Sequence, residues 1–179
     1  MKYHFPIETE RLSLRLLTPE DLDAWSVFFI NNPQLYFVGI TEEATPHVHA
    51  KKWMDRQLQR YTDTGLGMLA IIEKSSNKLI GQVGILQRDV DGERFYEIGY
   101  GIIPEKWGKG FASEGAIRIK QYLVAQSIDN KVISLIHQDN IGSQKVAEKN
   151  GMTRGKQFDF LGSPCYCYRK ELVKRKSHS

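Results

Sequence analysis

Residues 97–116 (EIGYGIIPEKWGKGFASEGA) constrain this chain more than any other stretch. A strand-like run reaches Ile102 and Ile103, Pro104 stops it, and two glycines one residue apart, Gly108 and Gly110, lead into residues 111–125, which read as an amphipathic helix. Glycine has no side chain to hold a ligand off the backbone. A helix start offers N–H groups without intrahelical acceptors at its positive dipole end. The unit therefore reads as a phosphate cradle. A P-loop is excluded, because Gly110 is followed by Phe111 rather than by the Lys and Ser or Thr that such a loop needs. A dinucleotide fingerprint fits poorly, since the stretch follows an antiparallel meander instead of opening a parallel βαβ unit.

The 179 residues suit one domain with a substantial core, and 41% apolar with 26% charged residues is an ordinary globular balance. No apolar run approaches the roughly 18 residues of a membrane span. The first 15 residues hold no continuous apolar core, so no secretory signal is expected and the expected location is cytoplasmic. The net charge of +4, from 25 basic and 21 acidic residues, is spread along the chain. Nucleic-acid binding would need a dense basic stripe or an aromatic platform, so neither nucleic acid nor membrane is expected as a partner. Cys165 and Cys167 sit two apart on a strand, face the same side and read as reduced core thiols. His47 and His49, two apart on a helix, diverge, and no metal is expected from them or from the cysteine pair.

Residues 5–17 read as a strand, alternating from Leu12 onward, and Thr18, Pro19 and Glu20 open a first helix that runs to about Ile30. A second helix is expected over 46–61. Two β-rich runs, 67–74 and 78–87, read as a hairpin, and a turn over 88–93 leads to a strand over 94–103. Residues 131–137 (KVISLIH) suit a strand covered on both faces. Asn140 caps a fourth helix ending at Asn150 and Gly151, and strands over 152–160 and 165–172 close the chain as a hairpin. The expected fold is α+β: one mixed, mostly antiparallel sheet of about seven strands flanked by four helices. Residues 1–172 form a single domain in this reading, and 173–179 a loose basic tail.

At this point the chain resembles the GNAT acetyltransferases, and within them the ribosomal-protein N-terminal acetyltransferase branch. The residues that carry the resemblance are ETERLSLRLLTPEDLDAW near the start, IGQVGI, EIGYGIIPEKWGKGFASEGA and DNIGSQKVAEKNGM. The resemblance implies that the fourth and fifth strands splay apart and that acetyl-CoA is the acetyl donor. It implies backbone contacts to the pyrophosphate at Gly108, Lys109, Gly110, Phe111 and Ala112, with Ser113 nearby. Trp107 stands where the family motif begins with Gln or Arg. The pantetheine arm would pair with Ile102 and Ile103 as an added strand, and Gly99 and Gly101 would mark a bulge there.

The chemistry of acetyl transfer names further candidates. The amine must be neutral to attack, and Glu97 is the candidate base, on the strand that carries the cofactor edge. The developing oxyanion would take a backbone N–H near Ile102 or Ile103. Many relatives supply a tyrosine seven residues after the position of Asn140, where this chain has Ala147. The ribosomal-type branch resembles the run from Asn140 to Ser143, which makes Ser143 the candidate acid and Asn140 a cofactor contact. Tyr36 and Phe37 lie in the loop that shapes the acceptor pocket in the family. The expected activity is acetyl transfer to a primary amine, a protein N-terminus or a small molecule, by direct attack. A homodimer is one assembly the resemblance leaves open, and a catalytically silent acyl-CoA sensor or interaction module is the rival function.

Overall fold

The computed structural model describes residues 2–126, 131–160 and 162–172, so the tail expected over 173–179 lies outside the described residues. The first strand is two strands, β1 (Ile7–Glu8) and β2 (Leu12–Arg15), folded back so that Ile7 faces Leu14. The Thr9 N–H donates to Leu12 O and the Leu12 N–H to Thr9 Oγ1, both at 2.9 Å, closing a turn over Thr9, Glu10 and Arg11. Alternation thus begins at Leu12 because the strand does. The first helix is also divided: 3-10 turns at Pro19–Asp21 and Val27–Phe29 flank α1 (Leu22–Ser26), and together they bury Trp25, Phe28 and Phe29.

Helix α2 (Pro46–Thr64) is capped by Thr45, whose hydroxyl accepts from the Val48 N–H, and ends at Gly65 in the left-handed region. A meander follows: β3 (Gly67–Glu73), β4 (Lys78–Val90) and β5 (Glu93–Ile102). The turn expected over 88–93 contracts to Asp91 and Gly92, both with positive φ (52° and 78°). Such a two-residue loop matches the twist of the strands it joins, so β4 runs on to Val90. Then come α3 (Phe111–Ala125), β6 (Lys131–His137), α4 (Ile141–Lys149), β7 (Thr153–Phe160) and β8 (Ser163–Glu171).

Among the described residues eight strands form one sheet in the order β1-β2-β3-β4-β5-β6-β8-β7, in which β5 and β6 alone run parallel. The eighth strand arises from the split at Thr9. The main core holds Trp25, Leu69, Ile98, Ile119 and Tyr168, each almost fully enclosed, and a smaller cluster groups Val90, Phe95, Ile133 and Cys167. Cys165 and Cys167 are buried and unbridged, and burial pushes both thiols up.

The feature that positions the site is a divergence. β5 and β6 pair only at Tyr96 with Val132 and Glu97 with Ile133, although both strands continue beyond. The expected bulge at Gly99 and Gly101 is not there: β5 keeps an unbroken register with β4. Those glycines serve packing instead. A Cβ on Gly101 would lie 3.3 Å from the Phe28 ring, and one on Gly99 3.1 Å from Met68 Sδ. Gly84 is tighter, for a Cβ there would meet Gly67 O at 2.2 Å and Met68 Cα at 2.7 Å, both on a backbone that cannot give. Gly84→Ala is expected to cost about 3 kcal/mol in urea unfolding, and a variant as stable as the parent would show that β3 and β4 can separate.

Candidate active site

After β5, a 3-10 turn at Pro104–Lys106 leads to Trp107 and the two glycines, which adopt left-handed φ values of 74° (Gly108) and 82° (Gly110). Only glycine takes this conformation without strain, so the chain can reverse here and enter α3 at once. Gly110 precedes the helix and offers no capping side chain. The first helical bond runs from the Glu114 N–H to Gly110 O (3.0 Å), and the N–H groups of Phe111, Ala112 and Ser113 have no acceptor among the described residues. These groups open onto a cavity of about 340 Å³. Lys106, Lys145 and Lys149 line it as well and add positive charge. Lys106 is held by Glu73 at 2.6 Å, and Glu73 also accepts from the Ser76 hydroxyl. A cradle with free amides, a helix N-terminus and surrounding ammonium groups fits a diphosphate.

The exposed edge of β5 forms the next part of the wall. Ile103 N–H donates to Ile80 O at 3.0 Å, and the register pairs Gly81 with Ile102. Residues 99, 101 and 103 therefore turn their backbone groups toward β4, and Ile98, Tyr100 and Ile102 turn theirs toward the gap. Two carbonyls are already bonded: Ile98 O accepts from the Ser134 hydroxyl and Ile102 O from the Trp107 indole N–H, each at 2.7 Å. The Tyr100 N–H and C=O and the Ile102 N–H remain without partners among the described residues. The edge expected at Ile102 and Ile103 is thus at Tyr100 and Ile102, because an antiparallel strand alternates its bonding direction. Ile103 is committed to β4 and does not line the cavity.

Across the gap, Asn140 Oδ1 accepts from the Ser143 N–H (3.0 Å), capping α4. Both residues line the cavity, and the Ser143 hydroxyl has no hydrogen bond among the described residues. Ala147 is fully buried, so its methyl belongs to the core. Sequence reasoning overlooked Tyr100. Its hydroxyl donates to Ser143 O at 2.7 Å, and burial, reinforced by Glu97 and Tyr168, pushes the phenol up so that it stays protonated. The available signal was its even-numbered position between Ile98 and Ile102.

The remaining candidates lie apart. Glu97 is buried, but Oε2 is bound by Arg88 Nε at 2.5 Å and Oε1 accepts from the Leu135 N–H at 3.3 Å. It sits where the strands part and does not line the cavity. Lys109 does not line it either: its carbonyl points away, to Arg11 Nη1 at 3.1 Å. Tyr36 and Phe37, on the 3-10 turn Leu35–Val38, pack over the His137 ring at 5.5 and 5.0 Å, and the cavity wall takes Gln34 and Val38 from the same segment. His47 lies 3.5 Å from Asp23, and His49 is buried against the Phe29 ring. Among the described residues no group of three or more potential ligands could hold a metal ion, and no helix is long and apolar enough to cross a membrane.

The comparisons with known proteins agree with this geometry. A family profile described as the acetyltransferase (GNAT) domain matches residues 11–153. The chain therefore belongs to the GNAT acetyltransferase family and is an N-acetyltransferase. An uncharacterized N-acetyltransferase of Bacillus subtilis, YoaA, is 29% identical over 151 residues, covering 84% of each protein. The fold matches an acetyltransferase from Agrobacterium tumefaciens with a TM-score of 0.77 at 24% identity, over 96% of this chain and 97% of that one. It also matches RimL, a ribosomal L7/L12 alpha-N-protein acetyltransferase in complex with coenzyme A, with a TM-score of 0.73 at 16% identity over 93% and 97%. Members of the family use acetyl-CoA.

Replacing Gly110 by Asp places a carboxylate at the cradle, with its Cβ 3.5 Å from Arg11 Nη2, and costs about 1 kcal/mol for the left-handed backbone. Calorimetry with coenzyme A is expected to show no binding to a variant that still melts cooperatively; unchanged affinity would remove the cradle from the site.

Proposed function

We propose that the chain transfers the acetyl group of acetyl-CoA to a primary amine, a protein N-terminus or a small molecule, by direct attack within a ternary complex. The observation that carries this reading is the meeting of two sets of unpaired backbone groups in one cavity: the amides at the start of α3 and the edge of β5 at Tyr100 and Ile102. The α3 amides, with Ser113 beside them, hold the diphosphate. Tyr100 and Ile102 pair with the pantetheine arm as a neighbouring strand would, and the thioester comes to the gap between β5 and β6.

In this reading the amine enters on the face of the sheet that bears Glu97 and His137, beneath Tyr36 and Phe37. Its nitrogen forms the new bond to the acetyl carbon as the carbon–sulfur bond breaks. An edge N–H of β5 is the preorganised donor where charge grows on the carbonyl oxygen. The unengaged Ser143 hydroxyl donates to the departing sulfur, and Tyr100 holds the backbone of Ser143 in place. Glu97, paired with Arg88, bridges to the Leu135 N–H and so holds the width of the gap. The proton lost by the amine passes to solvent water on that side, and the sulfur leaves as a thiolate hydrogen-bonded to Ser143.

The test is release of free thiol from acetyl-CoA over a panel of amines. Ser143→Ala is expected to lower turnover about a hundredfold with coenzyme A affinity nearly unchanged; full turnover would clear Ser143. The pH profile separates acceptor classes. With an α-amine the rate should level off near its pKa of about 8, whereas with a lysine it should climb toward about 10. Tight binding with no thiol release from any amine would favour a silent acyl-CoA sensor.

A further inference from the structure

Resting on the functional reading above, we infer that Arg11, in the turn between β1 and β2, is a positioning residue that aims the Gly110 N–H into the diphosphate cradle. Three contacts converge on this side chain. Its Nη1 donates to Lys109 O at 3.1 Å. Its Nε and Nη2 grip Glu114 Oε2 at 2.7 and 2.5 Å, and its backbone N–H reaches Glu114 Oε1 at 3.1 Å. Its guanidinium lies 4.5 Å from the centre of the Phe111 ring.

The geometric consequence follows from the planarity of the peptide bond. Lys109 C=O and Gly110 N–H belong to one trans unit and point in opposite directions. With the carbonyl fixed outward on Arg11, the N–H is directed inward, to the side where Gly110 lines the cavity. Without that anchor the unit can turn about ψ of Lys109 and φ of Gly110, and glycine at 110 opposes little of that rotation. A turned unit would present a carbonyl oxygen to an anion.

The clasp has a second effect. Glu114 stands in the first turn of α3, where its charge would repel a bound phosphate. Partial burial alone would raise this carboxyl, yet hydrogen bonds from Thr9 (2.5 Å) and Arg11 outweigh it and hold the group below the usual carboxylate range. Arg11 thus neutralises the one acidic side chain at the helix start. Lysine could meet Glu114 or Lys109 O but not both, because only the planar guanidinium fork reaches two acceptors in fixed directions.

The experiment compares two ligands on three proteins: wild type, Arg11→Gln and Arg11→Lys. Coenzyme A carries the diphosphate; pantetheine lacks it. Affinities come from calorimetry for the first and ligand-detected NMR for the second, with melting curves for each protein. Arg11→Gln is expected to weaken coenzyme A about tenfold, the value of one well-directed charged hydrogen bond, and Arg11→Lys by less, while pantetheine binds all three alike. Equal loss of both ligands, or none of either, overturns the clasp. Should Arg11→Gln fail to fold, the Arg11→Lys comparison decides by the same criterion. A wild type that does not bind coenzyme A sinks the functional reading itself, an outcome distinct from wild-type binding that the variants match.

Discussion

Two parallel strands that pair for two residues and then part define this molecule's working surface. Backbone groups inside a protein are normally bonded, and an unpaired strand edge is an invitation to another chain. Here Tyr96 and Glu97 reach β6, and beyond them the strands diverge. Side chains hold the gap at a fixed width: Ser134 bridges to Ile98 O, Glu97 to the Leu135 N–H, and Tyr100 to Ser143 O. The opening is therefore built rather than frayed, and it ends where the Trp107 indole closes Ile102 O. What stays open is about one residue of edge, enough for an extended amide-bearing ligand and too little for a strand from another protein.

The same parting explains where the chemistry gathers. α3 begins just beyond the end of β5, so its N-terminal amides and the open edge face one cavity; α4 begins just beyond the end of β6 and brings Asn140 and Ser143 to the opposite wall. Ligands of α/β sheets collect where neighbouring strands lead to different connections. In this mixed sheet the one parallel pair is the only place where two helices can start side by side at one end. The site is a consequence of the topology before it is a consequence of any single residue.

Much of this was legible in the sequence. The glycines at 108 and 110 and the apolar run at 131–137 announced the turn into α3 and the crossover strand, because each needs only local information. Three things were hidden. Which of Tyr100, Ile102 and Ile103 faces the gap depends on the register with β4, fixed by contacts some twenty residues away in Gly81 and Gln82. Glu97 read as a free carboxylate because its partners, Arg88 and Leu135, come from two other strands. The first strand read as continuous because Thr9 bonds to the backbone of its own turn, and such local side-chain bonds compete with a ladder without changing the hydrophobic pattern.

The charges around the cradle follow one rule. A site proposed to take a diphosphate should exclude free carboxylates, yet Glu73 and Glu114 both bond to residues around the loop. Each is matched to a cation that also touches the loop: Lys106 for Glu73, Arg11 for Glu114. Isolated surface pairs of this kind contribute little to stability, since ordering two long side chains offsets most of the Coulomb gain. Their use here is directional. A loop of glycines has too few side chains to fix its own conformation, so Glu73 of β3 and Arg11 in the turn before β2 do it from outside. The carboxylates anchor the cations, and Arg11 also bonds a peptide unit of the loop through Lys109 O. Flexible backbone is required for close approach to a phosphate, and the surrounding ion pairs restore the order that the missing side chains cannot supply.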